Sequence, residues 1–184
     1  MDWFNIHATK LTGLAVVERQ RREDARGFFS RFFCADELAP LGFDRPIAQV
    51  NHTLTRRRGS VRGLHFQHPP HAEDKFVSCL RGEVFDVAVD VRRGSQTFLQ
   101  WHGELLSAEN GRSLLIPKGF AHGFQTLQDD CEMIYLHSTA YAAAAEGALN
   151  IDDPRLRIAW PLPLADRSER DASHAPIAPD FSGI

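Results

Sequence analysis

The sequence predicts an all-β fold, a double-sheet jelly roll or barrel, on three observations. Short runs rich in β-branched and aromatic residues recur between Gly, Pro, Asn and Asp signals. Where a run is long enough, it alternates at period two. In residues 83–91, Phe85, Val87, Val89 and Val91 share one face, and Asp86 and Asp90 share the other. Helical patterning is confined to two short stretches, 36–41 and 141–146. About ten strands in one chain of this size suit two packed sheets.

The elements follow in order. Strands are expected at 14–18, 28–33, 48–54, 61–67, 76–80, 84–91, 97–105, 113–117, 123–126 and 132–138. The stretch from Pro161 to Ile184 is rich in Pro, Asp and Ser, and is expected to be a covering segment rather than a second domain. The whole chain, 1–184, therefore reads as one domain.

Composition narrows the function. Of 184 residues, 43% are hydrophobic and 24% charged, which is globular. The balance of 21 basic against 24 acidic residues creates no field of one sign, so nucleic acid is not an expected partner. No apolar run reaches membrane-spanning length, and residues 1–10 lack the apolar core of a signal peptide, so the expected location is cytoplasmic with no membrane partner. Three widely spaced cysteines, Cys34, Cys79 and Cys131, are expected as free thiols.

Two blocks carry chemistry. The first is Gly59-Ser60-Val61-Arg62-Gly63-Leu64-His65-Phe66-Gln67, followed by Lys75 and Gly82. The second is Pro117-Lys118-Gly119-Phe120-Ala121-His122-Gly123-Phe124. Together they resemble the two motifs of the cupin superfamily, whose metal-binding members use three histidines and a glutamate. Here Gln67 replaces the second histidine and Lys75 stands in the place of the glutamate. An ammonium has donors and no acceptor, and it repels a dication beside it. No metal is therefore expected. Two histidines and a lysine at a barrel mouth suit proton transfer and an oxyanion instead.

A longer match surrounds these blocks. Arg26-Gly27-Phe28-Phe29, Gln49-Val50-Asn51, the string from Val61 to Gln67, the string from Asp86 to Arg92 and the string from Ile116 to Phe124 occur in order. Tyr135, Tyr141, Asp153-Pro154, Trp160-Pro161 and Ser168-Glu169-Arg170-Asp171 follow. The chain resembles the dTDP-4-dehydrorhamnose 3,5-epimerase family of cupin-fold, metal-independent enzymes, over roughly residues 13–171.

The resemblance implies a dTDP-linked 4-keto-6-deoxy sugar as substrate, no cofactor, and a homodimer whose N-terminal strands are exchanged near the substrate. It implies inversion at C3, C5 or both, in the supply of dTDP-L-rhamnose or a related deoxysugar. His65 matches the base, Asp171 its carboxylate partner, Lys75 the group at the enolate oxygen and Tyr135 the acid across the ring. Arg26, Gln49, Asn51, Arg62, His122, Tyr141, Glu146 and Arg170 match substrate-contacting positions, with Arg26 offered to the diphosphate. His52, His68, His71, His102, His137 and His174 are expected at the surface or behind the site. One departure stands out: Arg31 occupies a position where the family usually carries a carboxylate. The competing functions are a mono-epimerase or ketoisomerase on another nucleotide sugar, a metal-dependent cupin enzyme and a non-catalytic carbohydrate binder.

Overall fold

A computed structural model describes residues 3–184. Alternating burial explains the layers, because each long strand divides its side chains between two different cores. The first sheet has six strands in the order β1 (Phe4–Ala8), β2 (Ala15–Arg19), β10 (Arg112–Ile116), β7 (Lys75–Arg81), β12 (Cys131–His137) and β5 (Gln49–Thr55). The second has five, in the order β13 (Glu146–Ala148), β6 (Val61–Gln67), β11 (Phe120–Thr126), β8 (Glu83–Asp90) and β9 (Trp101–Ser107). A hairpin of β3 (Arg21–Asp24) and β4 (Gly27–Ser30) stands as its own two-stranded sheet. All the pairings between these strands are antiparallel.

The central core lies between the two large sheets. Val16, Val77, Leu114, Ile116 and Met133 face Val84, Ala88, Leu106, Phe120 and Phe124 across it. One residue along each strand, Val17, Phe76, Leu115 and Leu136 point the other way, under a cover of Leu38 and Phe43. On the far side, Val61, Leu64, Phe66, Val87, Val89 and Val91 are covered by Leu149, Ile151, Leu156, Trp160, Ile177 and Phe181. The layer that covers this side is drawn from residues between Leu149 and Phe181. The acidic face of β8 turns inward, so Asp86 and Asp90 are both fully buried. Burial alone would raise the Asp90 carboxyl. Bonds from Arg92, Ser95 and Thr97 outweigh it and bring that group down to about 2.

Several boundaries differ from expectation. Strand 28–33 ends at Ser30 in the hairpin. Residues 97–100 form turns, and β9 begins only at Trp101. The helix at 36–41 is a short α1 (Ala35–Leu38) followed by a 3-10 turn, and the one at 141–146 is only a 3-10 turn at Ala143–Ala145. Strands β1, β3 and β13 and the helix α2 (Glu169–Ala172) come in addition. The three cysteines are free.

Phe76 is fully buried and packs edge-on against Phe32 and Phe33. Truncating Phe76→Ala is expected to cost about 3–5 kcal/mol, lowering Tm by roughly 10 °C. Leu80→Ala, on the half-exposed outer end of the same strand, is expected to change stability by less than about 0.5 kcal/mol. Parallel thermal scans check the contrast; equal losses would contradict this layering.

Candidate active site

The cavity opens between the sheets, where the central core gives way to polar side chains, and has a volume of about 430 Å³. Strand alternation supplies its walls. On β6, Leu64 and Phe66 go to the outer layer while His65 and Gln67 turn inward. On β12, Tyr135 and His137 share the inward face with Met133. Gln49, Asn51 and Thr53 of β5 line the same wall. β6 and β11 approach closely at an irregularity in their register, where His122 pairs with His65. A Cβ on Gly63, whose φ is +128°, would lie 2.5 Å from the Gly123 Cα, so only glycine allows that approach.

Three imidazole–carboxylate pairs surround the cavity. His65 Nε2 meets Asp171 Oδ1 at 2.8 Å, joining residues far apart in the chain. Asp171 is placed by α2, whose N-cap Ser168 accepts the Asp171 N–H at 3.0 Å. His122 Nε2 lies 2.9 and 3.0 Å from the two Asp86 oxygens, both residues being buried. His137 Nδ1 lies 3.0 Å from Glu73 Oε2. The Tyr135 ring is held between two of these imidazoles, stacked on His137 and edge-on to His122.

Electrostatics separates the groups. Burial lowers the His65 pKa, outweighing the bond and charge of Asp171, and the Arg170 and Lys75 cations lower it further. His65 is therefore neutral at pH 7. Burial pushes the Tyr135 phenol well above its ordinary range, so it keeps its proton. Burial likewise raises Asp86, against the opposing effect of His122. Lys75 Nζ sits 3.2 Å from Glu73 Oε1 and donates to the His65 carbonyl at 3.2 Å. At the mouth, Arg170 Nη1 reaches Glu146 Oε2 at 3.1 Å, and the Tyr141 hydroxyl donates to the same oxygen at 3.1 Å. Arg62 lines the cavity and donates from Nε to Thr55.

Eleven of the twelve site residues expected from the sequence line this one cavity. The exception is Arg26, which does not reach it. Arg26 lies in the turn between β3 and β4, its side chain 90% exposed and paired with Asp24 at 2.5 Å. The reason is that the β3–β4 hairpin bonds to neither large sheet. Arg31, the departure noted above, pairs with Glu37 and covers the Trp3 ring. His137, expected at the surface or behind the site, lines the cavity; its period-two relation to Tyr135 is the signal for it. Glu73 was not anticipated, because it lies in a loop with no period to read.

The donor set suits a metal poorly. His65, Asp171 and His174 bring ligand atoms within 4.8 Å of one another. However, His65 and Asp171 are already bonded together, and the Arg170 guanidinium lies 3.4 Å from His65 Nε2. Lys75 occupies the corresponding place in the cupin motif. Both cations repel a dication.

Asp171→Asn keeps the shape of the pair and removes its charge. kcat is expected to fall by about 10²-fold or more with KM little changed, because Asp171 acts on the imidazole and not on a ligand. Steady-state kinetics check this; a raised KM at unchanged kcat would make Asp171 a binding residue.

A neutral imidazole, a lysine and a protonated phenol in one cavity between two antiparallel sheets are groups suited to moving protons, the mark of an acid–base enzyme. Comparison with known proteins gives the same class. Residues 8–178 match the family model described as dTDP-4-dehydrorhamnose 3,5-epimerase. The chain is 41% identical over 171 residues to the dTDP-4-dehydrorhamnose 3,5-epimerase of Salmonella typhimurium, covering 92% of each chain. It is 42% identical, with a TM-score of 0.87, to the dTDP-6-deoxy-D-glucose-3,5-epimerase of Legionella pneumophila solved with dTDP-4-keto-L-rhamnose, covering 92% of this chain and 90% of that one. It is 36% identical, with a TM-score of 0.85, to a 3'-monoepimerase of Streptomyces bikiniensis solved with dTDP-quinovose, covering 92% and 86%. The chain belongs to the dTDP-4-dehydrorhamnose 3,5-epimerase family and is an isomerase. Among the described residues, no helix is long and apolar enough to cross a membrane.

Proposed function

We propose that the chain epimerises a dTDP-linked 4-keto-6-deoxyhexose at C3, C5 or both, working as one domain with no cofactor. The observation that carries this is the placement of base and acid on opposite walls. His65, backed by Asp171, comes from the five-stranded sheet; Tyr135 and Lys75 come from the six-stranded sheet.

The C4 ketone acidifies the protons at C3 and C5. His65 takes the proton with the ring nitrogen that Asp171 does not engage, and the C–H electron pair moves into an enolate. Lys75 holds the enolate oxygen. The Tyr135 hydroxyl returns a proton to the opposite face, leaving a tyrosinate and an imidazolium to be reset through solvent. Asp171 favours the imidazolium, and Gln49, Asn51, Arg62, His122, Tyr141, Glu146 and Arg170 hold the sugar and phosphates. The product serves dTDP-L-rhamnose or related deoxysugar synthesis in the cytoplasm.

A homodimer accounts for Arg26. The hairpin carries Phe28 and Phe29, 57% and 65% exposed, beside Arg26. Docked on a second copy, it would place an arginine and two aromatic rings at that copy's cavity mouth, where a diphosphate and a base need partners. The test is solvent deuterium exchange into dTDP-4-keto-6-deoxyglucose, followed by NMR at C3 and C5. Incorporation with inversion supports the reading. No incorporation into this or other dTDP-linked 4-keto sugars overturns it.

A further inference from the structure

The carboxylate of Glu73 is buried in the cavity wall yet belongs to none of the roles above. It lies in the loop before β7, and its two oxygens hold three side chains. Oε1 is 3.2 Å from Lys75 Nζ. Oε2 is 3.0 Å from His137 Nδ1 and accepts from Gln67 Nε2 at 3.1 Å. Gln67 comes from β6, Lys75 from β7 and His137 from β12, so one carboxylate ties together three strands of two sheets.

We propose that Glu73 is the positioning residue for the enolate-stabilising ammonium, fixing both the charge and the direction of Lys75. The inference rests on the epimerase reading above. An ammonium has three N–H donors. One is donated to the His65 carbonyl, and the Glu73 carboxylate stands beside the ammonium as an ion pair at 3.2 Å. The donors left over are available to the cavity that Lys75 lines. With only the His65 carbonyl as acceptor, the ammonium would swing, and a donor helps an oxyanion only where it is already aimed. The counter-charge matters as well, because Lys75 is almost wholly buried. Glu73 is ionised despite its own burial, since His137 and Lys75 outweigh the desolvation. The other titratable groups facing this ammonium are His65 on β6, Asp86 on β8, His122 on β11, and Tyr135 and His137 on β12.

Glu73→Gln keeps the size and removes the charge. Expected is a fall in kcat of about tenfold, short of the 10²–10³ for losing an oxyanion donor outright, with KM little changed. The loss is expected in kcat and not in KM, because the ammonium acts on the oxygen charge that develops in the transition state. Glu73→Asp keeps the charge but shortens the reach, so kcat falls by less than in Glu73→Gln, at the same KM. A purely structural role would lower Tm without separating kcat from KM in either variant. Wild-type protein is assayed alongside by deuterium exchange. Wild type active, with Glu73→Gln unchanged in kcat, overturns the inference alone. Wild type inert on every dTDP-linked 4-keto sugar overturns the epimerase reading and the inference with it. Should Glu73→Gln not fold, Glu73→Asp decides: a lower kcat at constant KM supports the inference, and wild-type kcat overturns it.

Discussion

His65→Ala is expected to abolish deuterium exchange at C3 and C5 together, with turnover lower by about 10²–10⁴-fold. The side chain stands on a cavity wall with 27% of its surface open, so its loss leaves the three apolar cores intact. Asp171 keeps the Gly63 N–H at 3.4 Å and the Arg170 guanidinium at 3.8 Å, so it does not become a bare buried charge. A melting curve close to wild type, beside lost exchange, separates chemistry from folding. The pH dependence carries its own sign. Burial lowers the His65 pKa, so the base is active at neutral pH, and activity falls only as pH drops through that lowered value. An acid limb above the ordinary histidine range, or near wild-type exchange in the alanine variant, would give the base role to another group.

The legibility of this fold follows from what alternation can encode. β8, β11 and β12 could be read because they face a core, and period two then has something to sort. β3 could not, since Arg21-Arg22-Glu23-Asp24 has no apolar member to mark a face. β1 buries only Phe4, and β13 is three residues long, so neither shows a period. α2 did leave a signal. Ser168 three residues before Asp171 is the spacing of an N-cap, but four residues of helix have no hydrophobic stripe to accompany it.

The site divides along the same line. His65, Gln67, Lys75 and His122 were legible through motif spacing; Gln49, Asn51 and Tyr135 came from the family resemblance, and period two adds only that their side chains can share an inward face. Asp171 lies in the C-terminal segment, and only the family resemblance linked it to His65. The His122 partner, Asp86, was visible as the polar face of β8, though nothing in the sequence says which histidine it meets. Arg26 stands apart from the cavity of its own chain, in a hairpin that pairs with neither large sheet. A hairpin that leaves its own sheet carries no mark of where it lands.

Tyr135→Phe divides the mechanism and tests it by stereochemistry. The phenol belongs to the six-stranded sheet, across the cavity from His65. Removing the hydroxyl leaves the ring to stack on His137 and meet the edge of His122, so the packing survives. His65 can still take the proton, and Lys75 can still hold the enolate oxygen. Burial keeps the wild-type phenol protonated far above neutral pH, so at pH 7 it holds the proton that the mechanism asks it to give. Reprotonation in the variant must come from the original face, or slowly from water. The expected result is continued deuterium wash-in with little inverted product, read by NMR of the recovered sugar nucleotide. Complete loss of exchange in a folded variant would make Tyr135 a binding group or a base. Normal inversion would move the acid role to Tyr141, whose hydroxyl already has a polar partner in Glu146 at the cavity mouth. Only a donor acting on the face opposite His65 predicts exchange without inversion, because the enolate forms as before and is returned its proton from the side that lost it.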